Sequence, residues 1–177
     1  EKTIRNCIPI LKPIRGEVSL DVQKQYEESP YPRWVDIQLH SNAMTIPDFL
    51  KTRGLKLKNE LNLNLTGPKV LIAGCGTGKH SLVAASKFKN SQVTAIDLSL
   101  NSLSYAKRKT EELGVKNIEY IQGNILDLET MGKKFDIIEC VGVLHHMANP
   151  LEGWATLVNC LKPSGLMKIG LYSELAR

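Results

Sequence analysis

Gly74, Gly76 and Gly78, with Cys75 and Thr77 between them, close an apolar run (Lys69–Ala73) and open an amphipathic one. Missing β-carbons at such a strand-to-helix turn let backbone approach a ligand closely at a helix N-terminus, as a nucleotide-type site requires. Asp97 ends the next apolar run, 19 positions after Gly78. An acid there accepts hydrogen bonds from both hydroxyls of an adenosine ribose. A tight turn and a helix-capping acid would use the same residues without a ligand. A phosphate-binding P-loop is excluded, because Ala73 stands where its first glycine belongs and Lys79 is followed by His80, not by Ser or Thr. A dinucleotide loop prefers Gly-x-Gly-x-x-Gly. The tighter spacing here leaves less room for a pyrophosphate, so a nicotinamide-dependent oxidoreductase is the minor alternative.

His145 and His146 follow the fourth apolar run, at the edge of an open α/β sheet where ligands sit. Imidazole titrates near neutrality and so suits a general base, while a pair that merely positions the loop explains both residues more simply. His40 and His80 lie in no local motif and read as surface or satisfied core histidines. Tyr26, Tyr31, Arg33 and Trp34 crowd between prolines, forming either a lid over the site or an aromatic staple onto the sheet. Lys51, Arg53, Lys56 and Lys58 read as a solvated basic face.

These residues need a scaffold. From Pro68 onward short apolar runs alternate with amphipathic segments, which predicts repeated βα units on a mostly parallel, doubly wound Rossmann-like sheet of about five strands. The strands are expected at Lys69–Ala73, Gln92–Ile96, Asn117–Gln122, Lys134–Val141 and Leu166–Tyr172. Ser99 caps a helix whose apolar stripe is Leu100, Leu103, Ala106 and Leu113. Asn149 and Pro150 start another, expected to bury Leu151, Trp154, Val158 and Leu161 before Pro163 and Gly165 end it. Residues 1–66 hold five of the eight prolines and only short helical runs, one over Val18–Glu28 and one from Thr45 toward Arg53. They read as a helical and irregular extension or lid on a domain spanning 67–177.

A net charge of +5 from 23 basic and 18 acidic residues, dispersed along the chain, argues against a dedicated nucleic-acid surface. No apolar stretch approaches the roughly 20 residues of a membrane span. Cys7, Cys75, Cys140 and Cys160 contain no Cys-x-x-Cys pair, so reduced thiols in the cytoplasm and no metal site are expected. The first residue is Glu1, as in a processed or excerpted chain.

From Val70-Leu71-Ile72-Ala73-Gly74-Cys75-Gly76-Thr77-Gly78 through Ala95-Ile96-Asp97-Leu98-Ser99, Gly123-Asn124-Ile125, Phe135-Asp136-Ile137-Ile138, Gly142-Val143-Leu144-His145-His146-Met147 and Leu161-Lys162-Pro163-Ser164-Gly165-Leu166, the chain resembles the class I S-adenosylmethionine-dependent methyltransferases. Gln25–Trp34 looks like a segment that precedes this domain in bacterial proteins often carrying tetratricopeptide repeats. The resemblance implies that Gly74, Cys75, Gly76, Thr77 and Gly78 pass under the methionine part of S-adenosylmethionine and that Asp97 holds its ribose. It further implies that Leu98 and Ile125 sandwich adenine, that Asn124 stands where many members carry an aspartate for the adenine amino group, and that Cys140 and Val141 offer backbone carbonyls to the methionine ammonium. Cys140 is equally explained as a small buried hydrophobe. Tyr31 and Arg33 would close over the cofactor, Arg33 facing its carboxylate. The methyl acceptor is unspecified.

Two departures stand out. Ile72 occupies the position of a usual acid, and the sequence ends after the fifth strand, where the family's sheet continues. A catalytically silent cofactor-binding or interaction module is therefore a second reading. The apolar edge formed by Ile169, Leu171 and Tyr172 is expected to promote self-association.

Overall fold

The computed structural model describes residues 2–55 and 67–173. Lys56, Lys58 and the expected boundary at residue 66 lie outside them.

Five strands, β1 (Lys69–Ala73), β2 (Gln92–Asp97), β3 (Ile118–Gln122), β4 (Phe135–Val141) and β5 (Leu161–Gly170), form one parallel sheet in the order β3-β2-β1-β4-β5. The chain starts at the centre, builds outward through β2 and β3, then returns to add β4 and β5 on the other side. The connection reverses between β1 and β4, and a cleft opens beyond their carboxyl ends. Alternation along β1 assigns Val70 and Ile72 to one face and Leu71 and Ala73 to the other, all four almost wholly buried, so each face carries its own core.

The first face is covered by α3 (Ile46–Thr52), α4 (Lys79–Lys87) and α5 (Leu100–Glu112). The second is covered by α6 (Pro150–Cys160) and a 3-10 segment, Ile125–Met131. The sequence-derived caps hold. Thr45 accepts from the Asp48 amide, Ser99 from Ser102, and Asn149 from Leu151 and Glu152, while Pro150 sits in the first turn of α6.

Three expectations are corrected. On α6 the buried residues are Gly153, Thr156, Leu157 and Cys160, whereas Leu151, Trp154 and Val158 are exposed and Leu161 is half-buried. Two stripes on this helix repeat at helical spacing, and close approach selects the narrower one: a β-carbon at Gly153 would lie 2.4 Å from the Met147 sulfur. On α5, Leu103 and Ala106 are buried as expected, but Leu113, already past the last turn, is exposed. Strand β5 begins at Leu161 instead of Leu166, since Phe135 pairs with Leu161 and Ile137 with Leu166, so residues 162–165 bulge out of a strand read as starting after them. It ends at Gly170, and Tyr172 leaves the sheet.

The N-terminal residues wrap the domain. Helix α1 (Lys2–Asn6) packs on α5, and the Pro9 and Leu11 backbone bonds Gln122, extending the sheet beyond β3. Helix α2 (Glu17–Glu28) then crosses to the cleft, and Ile8, Trp34, Ile46 and Leu50 are buried in contact with the domain. The edge of β3 is thus covered by the N-terminal segment, while among the described residues the outer edge of β5 is not paired.

Candidate functional site

A cavity of about 540 Å³ occupies the cleft beyond β1 and β4, with α2 as its roof. Its floor is the glycine turn. Gly74 and Cys75 donate their amides to the Ile96 carbonyl at 2.8 and 3.0 Å, fixing the turn to β2. Gly76 has φ +52°, and a β-carbon there would stand 2.3 Å from the Tyr31 carbonyl oxygen, so the residue must be glycine both for its backbone and for the chain passing above it. Gly78 begins α4 with φ +84°, pressed against Ala106.

Asp97 joins the turn to α5. Its Oδ2 accepts the Gly76 amide at 2.7 Å and its Oδ1 the Ser99 amide at 2.9 Å. A carboxylate offers about four acceptor sites, and those not taken by backbone amides remain for the cavity. Burial pushes its pKa up; the Ser99, Gly76 and Leu98 amides pull it down and the Glu27 charge pushes it up again.

Among the expected site residues, Gly74, Cys75, Gly76, Asp97, Leu98, Asn124, Ile125, Val141, Tyr31 and His146 line this one cavity. Leu98, Asn124 and Ile125 sit at the β2–β3 end. Asn124 already uses its side chain, accepting from the Leu126 amide at 3.1 Å and donating to Ser19 Oγ at 2.9 Å. Thr77, Gly78, Cys140, Arg33 and His145 are not on the wall. Thr77 is a tether: its hydroxyl donates to the Pro32 carbonyl, and it accepts from Trp34 Nε1 at 3.0 Å. Cys140 points into the core below α6, where burial lifts its thiol to about 12 against one opposing hydrogen bond from Leu144. Arg33 is exposed beside a separate shallow hollow. The His145 ring lies between those of His146 (4.3 Å) and Tyr172 (4.4 Å).

The lid and staple readings divide the aromatic segment between them. Tyr26 and Tyr31 line the cavity, whereas Trp34 is buried, edge-on to Tyr105 at 5.6 Å.

Sequence reasoning missed several residues. Glu27 caps the N-terminus of α5 from 73 positions away, its carboxylate accepting from Leu100 and Asn101. His80 is satisfied as expected, with Nε2 2.7 Å from Glu139 Oε2, and it also lies on the cavity wall. Glu139 pairs across the sheet with Ile72, on the same face, and is not itself on the cavity wall. Its signal was available: a charge at the fifth position of the otherwise largely apolar β4. Lys79, Lys168 and Tyr172 complete that end of the cavity. No group of three or more His, Cys, Asp or Glu among the described residues could hold a metal ion.

A doubly wound parallel sheet with a glycine turn, a ribose-type acid and an apolar slot at its switch point defines a nucleoside-binding α/β protein. The particular family follows from comparison. Residues 70–165, more than half the chain, match the family described as a methyltransferase domain, and the chain belongs to it, within the class I S-adenosylmethionine-dependent methyltransferases. An uncharacterised protein of Synechococcus is 38% identical over 111 residues, 62% of this chain and 27% of its own length. The ubiquinone biosynthesis O-methyltransferase of Actinobacillus pleuropneumoniae is 36% identical over 108 residues, 58% of this chain and 45% of its own. Among solved structures, PKMT2 from Rickettsia typhi in complex with AdoHcy aligns with a TM-score of 0.58 at 30% identity, covering 78% of this chain and 26% of that one. The chain spans between 23% and 54% of the length of the first curated relatives it matches.

Proposed function

We propose that this chain binds S-adenosylmethionine in the cavity and serves methyl transfer to an acceptor not yet identified. The observation that carries the reading is the convergence of the Gly74–Gly76 turn, the Asp97 carboxylate and the Leu98–Ile125 slot on one cavity. These groups fit the ligand: the carboxylate takes the ribose hydroxyls, the slot takes a flat apolar base, and the glycine floor leaves room that a side chain would fill. When bound, S-adenosylmethionine supplies a methyl group on a sulfonium, which passes to a nucleophile by in-line displacement. The protein's part is chiefly positioning and exclusion of water, with α2 and Tyr31 as the roof. His146, on the wall and edge-on to Tyr26 at 6.4 Å, is the residue placed to take a proton from the acceptor, and His145 positions it by a tilted ring contact. Calorimetric titration with S-adenosylhomocysteine and with NAD tests the reading: binding of the first and not the second is expected, and the reverse would move the chain to the oxidoreductases.

The described N-terminal residues act in this reading as a fixed roof, through α2 and Tyr31. Gly76→Ala should push the Tyr31 carbonyl aside, raising amide exchange over residues 31–34 and weakening S-adenosylhomocysteine about tenfold, within the 1–3 kcal/mol typical of local backbone strain. Unchanged exchange and affinity would show that the roof is irrelevant to the site.

The four cysteines are free thiols, three of them buried, and no helix among the described residues is long and apolar enough to cross a membrane; we place the chain in the cytoplasm on the thiols. The outer edge of β5, flanked by exposed Leu171 and Tyr172, is the surface on which a second copy would add, and sedimentation over a concentration range reads this directly.

A further inference from the structure

Charge on the cavity wall is divided by position. The carboxylate of Asp97 is at the β2 end, and among the described residues no other Asp or Glu lines the cavity; Lys168 lies on β5, His80 reaches Glu139 of β4 from the first turn of α4, and Lys79 precedes it on that turn. Strands are spaced about 4.8 Å apart, so Lys168 on β5 is three strands, about 14 Å, from the strand of Asp97, and about 10 Å from the strand that feeds the glycine turn. Adenosine lying across Asp97, Leu98 and Ile125 sends the cofactor's amino-acid tail over the glycine turn, and the β5 side, about 10 Å beyond β1, is left to another molecule.

The cationic end is a built arrangement. Glu139 is 3% exposed, at the centre of the sheet face, and gathers three partners: His80 Nε2 at 2.7 Å, Lys87 Nζ at 3.2 Å and Lys168 Nζ at 3.4 Å. Burying a carboxylate is costly unless it is paired, and here the pairing aligns the side chains that frame the wall. Lys87 and Lys168 pair with this one carboxylate and Lys79 stands on the cavity wall, next to His80 in sequence, so the region carries an excess of two positive charges. Among the described residues no carboxylate forms an ion pair with Lys79. Tyr172 and His146 add rings beside it.

We infer that His80 and Lys168, both held by Glu139, together with Lys79 on the same cavity wall, form a seat for a carboxylate or similar anionic group on the methyl acceptor. The seat rests on the cofactor reading above, which assigns the other end of the cavity. It narrows the acceptor class to anionic molecules small enough to share the cavity with a nucleoside, with Tyr172 and His146 suited to a ring.

The test separates the seat from the cofactor. The wild-type chain and its Lys79→Met and Lys168→Met variants are first titrated with S-adenosylhomocysteine and with 5′-methylthioadenosine, which lacks the amino-acid carboxylate. The S-adenosylhomocysteine-saturated proteins are then titrated with benzoate and its neutral isostere benzamide, observed by ligand NMR. Benzoate should bind the saturated wild type and benzamide should not, and each variant should weaken benzoate about fivefold with S-adenosylhomocysteine unchanged, the size of one partly exposed ion pair. Equal binding of benzoate and benzamide, or variants indistinguishable from wild type, overturns the seat. Variants that lose S-adenosylhomocysteine but keep 5′-methylthioadenosine would assign the cations to the cofactor's own carboxylate and overturn it equally. Failure of the wild type to bind S-adenosylhomocysteine sinks the cofactor reading, and with it the division of the cavity.

Discussion

Asp97→Ala is expected to weaken S-adenosylhomocysteine binding roughly 100-fold, the largest effect of any single change on cofactor affinity. A hydrogen bond to a charged group is worth about 1.5–3 kcal/mol, so two ribose hydroxyls on one carboxylate reach the roughly 2.8 kcal/mol that two decades demand. The same carboxylate anchors the Gly76 amide at 2.7 Å, so its removal also loosens the floor. A folded variant with unchanged affinity would place the nucleoside elsewhere. Acidification should act in the same direction. Burial, the largest influence on Asp97, raises its pKa, so the carboxylate takes up its proton at a higher pH than a free aspartate does. Ribose affinity should therefore fall as pH drops through a range above the ordinary value of 3.8, and affinity flat down to about pH 4 would argue against this acceptor. For stability the sign is opposite: because the folded state holds this proton more tightly, Asp97 costs stability as pH rises through that window.

Glu139→Gln should destabilise the fold by about 3 kcal/mol at neutral pH. Burial alone would raise the pKa of Glu139, but the His80 hydrogen bond and the Lys87, His80 and Lys168 charges outweigh it and bring it from 4.5 down to about 2. At about 1.4 kcal/mol per decade this is about 3 kcal/mol of stability, fully present above pH 4.5 and lost as pH falls toward 2. The glutamine variant also leaves the largely buried Lys87 ammonium facing a neutral amide, and losing one partner of a buried pair costs about 3–5 kcal/mol. Urea melts should show a large gap between wild type and variant at pH 7 that narrows at pH 3. Equal midpoints at pH 7 would mean that the cluster contributes nothing to the fold.

Where local chemistry decides a feature, the sequence was a sufficient guide. The β1 limits, the caps at Thr45, Ser99 and Asn149, and the glycine turn are each set by a few adjacent residues, and each is found as read. The failures are tertiary. Trp154 was assigned to the core because its stripe has the right period, but period does not choose between two stripes, and it was Gly153 against Met147 that decided. Arg33 was placed at the cofactor by its neighbours in sequence, yet the Thr77 tether to Pro32 and Trp34 turns the segment so that Tyr31 faces the cavity and Arg33 faces solvent. Glu139 and His80 are 59 positions apart, and only the β1–β4 register brings them together.

The Glu27 carboxylate on the first turn of α5 has a consequence for the birth of the molecule. A chain emerging from the ribosome at about 5–20 residues per second presents α2 roughly 4–15 s before its partner amides at Leu100 and Asn101 exist. During that interval Tyr26 and Trp34 also lack the partners that hold them, Ser99 and Tyr105. This segment is thus made before its docking site exists, and a nascent chain stalled before residue 99 would present those aromatics to chaperones and proteases.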